Sequence, residues 1–435
     1  MDYRAEVVKK SSKTKASLKK KSKKSEFWLR MEAILQDNAE CSELQNQFEL
    51  FQKESPKALR LNPLRKFTIQ DVEGFLENKI SFEDKKLDWC QRGFFLPSGL
   101  ANKLSEHPLI GTGGIYIQEP SAMEPVEVLN PQPGELILDL CAAPGGKASQ
   151  IGEKLNGYGW LVANDPVRAR AERLDAILAR HGIINSSVFA LAPENLLEKF
   201  PTTFDGILVD APCGGESLFA KRVDHRTDIR DADVRGNARR QFLILNCAAE
   251  MVKPGGRIVY STCTYSKEEN ENVVSAFLES HSQFSLILDQ RRWPHKDNVA
   301  GGYWAHLVHN EPSSENRSVE EFHAVAQKPE GLMRHGIRRW NHELDEYLIA
   351  MSPWSAEETL KRQPQISLPQ RKGIELSLDQ VVSFLKGMSL SSSIVSPRDF
   401  KAGELGIFTW QKRPIGVFKF VGDRFNNLLP RLLRS

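Results

Sequence analysis

The chain has 435 residues, 40% of them hydrophobic, which is too long for one ordinary domain and apolar enough for real cores. No apolar run is long enough to span a bilayer, and no apolar stretch follows the N-terminal lysines, so neither a membrane anchor nor a secretory signal is expected. The net charge of +3 does not by itself call for nucleic acid.

Charge distribution says more than the total. Lys9, Lys10, Lys13, Lys15, Lys19, Lys20, Lys21, Lys23 and Lys24 crowd residues 1–25 between serines. Such a segment cannot bury apolar surface and is expected to be disordered. It can follow phosphates through counterion release, or serve only as a solubilising tail. The six cysteines include no C-x-x-C pair, so no metal site is expected.

A mixed α/β region is predicted over 26–130. It holds a helix from Glu26 to about Phe51, a strand at Ala58–Leu61 stopped by Asn62-Pro63, and a helix over Ile69–Asn78. From Pro131 to about 330, strands alternate with helices. Strands are predicted at 136–140, 160–163, 188–190, 204–210 and 257–260. Helices are predicted at 148–155, 167–181, 239–251 and 267–281. This alternation implies an open, mostly parallel sheet, which binds ligands at the carboxyl ends of its strands. Asp139, Asp165, Asp210 and Cys263 fall at or just past strand ends and are expected along one edge. From 331 to 435 the elements are short and interrupted by Pro364, Pro369, Ser391–Ser393 and Pro397. Strands at 405–410 and 415–420, separated by Lys412-Arg413-Pro414, suggest a small β-rich domain.

The segment Cys141-Ala142-Ala143-Pro144-Gly145-Gly146-Lys147 directly follows the first predicted strand of that sheet. Small residues let backbone approach a ligand, and a helix N-terminus offers free N–H groups to an anion. The spacing is neither a P-loop nor a dinucleotide fingerprint. Asp165, after the second strand, suits ribose hydroxyls, so an adenosine-containing ligand without an essential phosphate is expected. The alternative is a plain connector with an Asp capping a helix.

Cys213 in Asp210-Ala211-Pro212-Cys213 and Cys263 in Ser261-Thr262-Cys263-Thr264 end neighbouring strands. A thiolate adding to carbon 6 of cytosine makes carbon 5 nucleophilic, which is covalent catalysis. The charge reaching N3 must be neutralised, and a protonated carboxyl can do this. One thiol suffices as nucleophile; the other can act as base, aid release, or merely pack.

These residues resemble the Sun/Fmu-type RNA (cytosine-5) methyltransferases of the class I methyltransferase fold, over about Leu59 to Val325. The matching stretches are Cys141–Lys147, Asp210–Cys213, Thr262–Thr264, Leu59–Asn62, Tyr116–Ser121 and Trp293–Lys296. The resemblance implies S-adenosylmethionine as cofactor, Cys263 as the residue bonded to the ring, and Cys213 as an aid to product release. It implies that Asp210 contacts ring and cofactor, that Asp165 holds the ribose, and that Lys147 positions the catalytic end. Arg170 matches a recurrent family arginine. Ala192 stands where the family has an acid near the adenine, with Glu194 close by. Gly214, Gly215 and Ser217 also depart from the usual pattern, as does the run Asp297–Gly302.

Gly403–Gly406 and Phe425–Pro430 more faintly resemble the PUA-like domain of the bacterial ribosomal-RNA branch. There Lys412, Arg413, Lys419, Arg424, Arg431 and Arg434 interleave with Phe408, Trp410, Phe418 and Phe420. The aromatics either stack bases or fill a small core. The expectation is a cytoplasmic monomeric enzyme acting on ribosomal RNA or a ribosomal subunit. The alternatives are a transfer-RNA methyltransferase and an RNA-binding assembly factor with weakened catalysis.

Overall fold

A computed structural model describes residues 26–76, 79–104, 107–217, 230–312, 332–335, 338–339, 372–394, 400–410 and 413–428. The lysine-rich segment 1–25, the prolines at 364, 369 and 397, and Lys412, Pro430, Arg431 and Arg434 lie outside the described residues.

The predicted first helix is two helices, Glu26–Leu35 and Asn38–Lys53. Gln36 turns left-handed at φ 56°, and the Asp37 carboxylate accepts the Ala39 amide at 2.7 Å, capping the second helix. Four strands follow: β1 (Ala58–Leu61), β2 (Lys86–Leu87), β3 (Cys90–Phe95) and β4 (Ile115–Gln118). They form a small antiparallel sheet in the order β2-β3-β1-β4.

The central sheet contains β5 (Leu136–Asp139), β6 (Trp160–Asn164), β7 (Ser186–Phe189), β8 (Phe204–Asp210), β9 (Val252–Thr262), β10 (Phe284–Arg292), β11 (Gly302–His309), β12 (Leu332–His335) and β13 (Arg338–Arg339). Its order is β10-β11-β9-β8-β5-β6-β7-β12-β13. The five strands from β9 to β7 run parallel. Every residue of β5 and β6 is buried, which is why both read as continuous apolar runs with no alternation. The chain winds from β5 through β6 to β7, then returns to β8 on the other side of β5. This reversal opens a crevice at the carboxyl ends of β5 and β8. The antiparallel pair β10–β11 and the hairpin β12–β13 extend the two edges.

The C-terminal strands β14 (Gly373–Glu375), β15 (Leu390–Ser391), β16 (Leu405–Trp410), β17 (Arg413–Phe420) and β18 (Arg424–Asn427) form a third sheet, in the order β14-β16-β17-β18-β15. Phe408, Trp410, Phe418 and Phe420 are all buried. The Phe408 and Phe418 rings lie 4.4 Å apart. These aromatics therefore pack, and none faces outward to stack a base. Trp410 sits 5.9 Å from Phe67 and 5.3 Å from Phe75, so one core joins this sheet to the N-terminal region. Lys419 and Arg424 stay exposed.

Candidate active site

The crevice is a cleft of about 880 Å³, and both Cys213 and Cys263 line it. Cys263 follows β9 and Cys213 follows β8. The two sulfurs are 3.0 Å apart, and the Cys263 amide donates to the Cys213 sulfur at 3.3 Å. The Cys213 thiol is held well above its usual range by its hydrogen bond to Cys263 and by burial. The shift favours the protonated thiol at Cys213. The Cys263 turn is fixed by Asn270, whose side-chain amide donates to the Thr264 carbonyl at 3.0 Å.

Asp210 closes β8. Its Oδ2 accepts from Lys147 Nζ at 2.8 Å and its Oδ1 from Ser261 Oγ at 2.8 Å. Burial alone lowers the Lys147 pKa, but Asp210, through charge and hydrogen bond, together with Cys263 and Asp139 makes the net shift upward. The ammonium is thus retained. Asp165, almost fully enclosed, accepts the Val167 amide at 3.0 Å and pairs with Arg170 at 3.2 Å. Arg170 also donates to the Ala143 carbonyl at 3.1 Å, which joins the first loop to the second. Asp139 is fully buried, and burial followed by the charge of Asp210 pushes its carboxyl well up.

Of the first loop, Cys141, Ala143, Pro144 and Lys147 line the cleft, while Ala142, Gly145 and Gly146 do not. A Cβ on Gly145 (φ 122°) would lie 3.0 Å from Ile177, and one on Gly146 would lie 2.8 Å from Gln118. The close approach these glycines permit is thus to a neighbouring helix and to β4. Burial, followed by Asp139, raises the Cys141 thiol, which favours its protonated form. Ala192 and Glu194 both line the cleft beside Asp165.

Several functional neighbours escape a reading of the sequence. Glu269 is buried, accepts the Gly214 amide at 3.0 Å and the Gln241 side chain at 2.7 Å, and is pushed up to about 7 by burial. Arg60 of β1 makes a bidentate pair with Glu153, both contacts 2.9 Å, and donates to the Gly146 carbonyl at 3.0 Å. The N-terminal sheet thereby grips the cofactor loop. Arg292 makes a bidentate pair with Glu124 at 2.9 and 2.7 Å on the cleft wall. The one available signal was that Arg60 and Ser261 stand inside recognisable motifs.

Residues 126–317 match the family model described as 16S rRNA methyltransferase RsmB/F. Residues 24–120 match the N-terminal domain of 16S rRNA methyltransferase RsmF, and 371–435 the methyltransferase RsmF PUA domain. The chain is 36% identical to a tRNA (cytosine(49)-C(5))-methyltransferase of Pyrococcus abyssi, over 51% of this chain and 70% of that one. It belongs to the RNA (cytosine-5) methyltransferase family. Ribosomal RNA small subunit methyltransferase F of Erwinia tasmaniensis is 27% identical over 87% of this chain and 90% of that one. A solved methyltransferase homolog from Pyrococcus horikoshii superposes with a TM-score of 0.53 at 28% identity, over 62% of this chain and 90% of that one. The methyltransferase fold is the expected one, and the cofactor of this RNA (cytosine-5) methyltransferase is S-adenosylmethionine. Among the described residues, no helix is long and apolar enough to cross a membrane.

Proposed function

We propose that this methyltransferase modifies carbon 5 of a cytosine in ribosomal RNA, with Cys263 bonding transiently to carbon 6. The observation that carries this reading is the sulfur pair, 3.0 Å apart and in the same cleft as the Lys147–Asp210 pair. S-adenosylmethionine, when bound, supplies the electrophilic methyl group. The residues fit such a cofactor: Asp165 lies enclosed where ribose hydroxyls would meet it, and the buried Asp139 carboxyl has no side-chain hydrogen-bond partner among the described residues.

The roles of the side chains follow from their chemistry. A target base leaves its stack to enter the cleft. The Cys263 sulfur adds to carbon 6 as its proton passes to the ring N3, so electron density moves to carbon 5. Lys147 and Asp210 stand as a hydrogen-bonded pair to meet that charge. After methylation the carbon 5 proton passes to water, the ring double bond reforms, the carbon–sulfur bond breaks, and the N3 proton returns to the Cys263 sulfur. Cys213, kept as a thiol, hydrogen-bonds to the departing sulfur. Cys141, Ala143 and Pro144 form the cofactor wall, Ala142, Gly145 and Gly146 let the loop pack behind it, and Arg170 ties that wall to Asp165.

Ribosomal RNA is favoured because the likeness to the ribosomal methyltransferase covers nearly the whole chain, including the C-terminal part. The higher identity to a transfer-RNA enzyme over half the chain favours a second substrate reading. Action as a monomer in the cytoplasm belongs to the same proposal. The test incubates protein and S-adenosylmethionine with unmodified ribosomal or transfer RNA, then reads digested nucleosides by mass spectrometry. The expected result is 5-methylcytidine in ribosomal RNA with wild type and none with Cys263→Ala. Its appearance only in transfer RNA would overturn the substrate, and its persistence in the variant would overturn the nucleophile.

A further inference from the structure

Glu216 lies three residues beyond Cys213 and is fully buried. Its Oε2 accepts from Thr264 Oγ1 at 2.7 Å and from the Tyr265 amide at 2.9 Å. Beside it, the Ser217 amide donates to the Cys263 carbonyl at 3.1 Å. One carboxylate thus stitches the loop carrying Cys213 to the loop carrying Cys263. Its other oxygen, Oε1, accepts from Arg30 at 2.9 Å. Arg30 is not part of the methyltransferase sheet. It sits on the first helix and spends its second nitrogen on Asp231 at 2.7 Å, while the Asp231 amide donates to Glu26 at 2.9 Å. The same helix places Phe27 and Met31 in a small core with Tyr265 and Trp293. There the Tyr265 and Trp293 rings stack at 5.2 Å.

We infer that Arg30 is a positioning residue for catalysis, holding the two cysteine loops in register through Glu216. A buried carboxylate without its partner is strongly unfavourable, because the charge has been taken out of water with nothing to offset it. Without Arg30, Glu216 must move toward solvent or take up a proton. Either response loosens the contacts to Thr264 and Tyr265 and shifts the sulfur of Cys263. Small displacements of a reacting group cost rate far more than they cost binding. The N-terminal region therefore contributes to the chemical step, in addition to any grip on RNA. This inference rests on Cys263 being the nucleophile.

The test compares wild type with Arg30→Met, Glu216→Gln, the double variant and Arg30→Lys. The readouts are kcat and KM for RNA, cofactor affinity, and the rate at which iodoacetamide alkylates Cys263 without RNA or cofactor. Arg30→Met is expected to lower kcat by about thirtyfold, with KM and cofactor affinity within about threefold of wild type, and to alter the alkylation rate. The double variant removes both charges yet keeps a side-chain carbonyl oxygen to accept from Thr264 and Tyr265, so it should recover a large part of that kcat. Arg30→Lys keeps a cation at Glu216 but not the fork to Asp231, and should fall between. Unchanged kcat and alkylation in Arg30→Met, with only KM or thermal stability affected, would overturn the inference. A double variant no better than the sum of its singles would also overturn it. Should Arg30→Met fail to fold, Arg30→Lys and Glu216→Gln carry the same comparison. Failure of the nucleophile reading shows separately, as 5-methylcytidine formed by Cys263→Ala.

Discussion

Around the strand ends of the central sheet, the enclosed side chains include Asp139, Asp165, Glu216 and Glu269; in the C-terminal sheet they are Phe408, Trp410, Phe418, Phe420 and Phe425. Both sets are removed from water, at opposite cost. Burying an aromatic ring is favourable and needs no partner. Burying a carboxyl is costly unless partners are built around it. Three of these four carboxyls have such partners: Arg30 for Glu216, Arg170 for Asp165, and Gln241 for Glu269. Aromatic burial therefore reports on packing, and buried charge reports on chemistry.

That contrast can be broken most sharply at Cys263. Cys263→Ala is expected to lower 5-methylcytidine formation by at least about a thousandfold while leaving the thermal midpoint nearly unchanged, since a part-exposed thiol contributes little packing. In the C-terminal sheet the opposite holds. Phe418→Ala should cost about 3–5 kcal/mol of stability in denaturant unfolding, with kcat per folded molecule altered less than about threefold. Asp210→Asn keeps shape but weakens the pair with Lys147. A loss of about a hundredfold in kcat with modest change in cofactor affinity is expected from titration calorimetry and initial rates.

Glu269 sharpens the comparison through pH. Burial raises its carboxyl to about 7, so the folded protein holds a proton that the unfolded chain releases near 4.3. Folding stability therefore falls as pH rises through that window, and Glu269→Gln should remove the fall, worth at most about 4 kcal/mol. Urea midpoints of both proteins at each end of the window measure it. The smallest effect is expected at Ala192, on the cleft wall. Ala192→Asp offers an acceptor to an adenine amino group and should tighten cofactor binding by about two- to tenfold. No change in dissociation constant would place the adenine elsewhere.

Much of the catalytic edge was legible because it is local. Strand β5 and the loop after it are contiguous, and so are β8 with Cys213 and β9 with Cys263. Apolar runs and small-residue turns mark each in the chain itself. The positioning network was not legible, because Arg30 meets Glu216 across 186 residues and Arg60 meets Glu153 across 93. Each of these residues, taken alone, reads as a solvated charge on a helix or strand. The break at Gln36 was equally hidden, since neither Gly nor Pro marks it. The aromatics of β16 and β17 left two readings open until their burial decided for packing.

Phe67 and Phe75 share their core with Trp410, and Gly111 lies so close to Leu385 that a Cβ there would come within 2.6 Å of it. An earlier stretch of the chain is thus completed by a much later one. During synthesis the early apolar residues must wait, partly uncovered, until the C-terminal sheet has emerged. Such exposure is a hazard for association with other nascent chains. A premature stop codon anywhere before β16 would therefore leave the core around Phe67 incomplete as well as removing the third sheet.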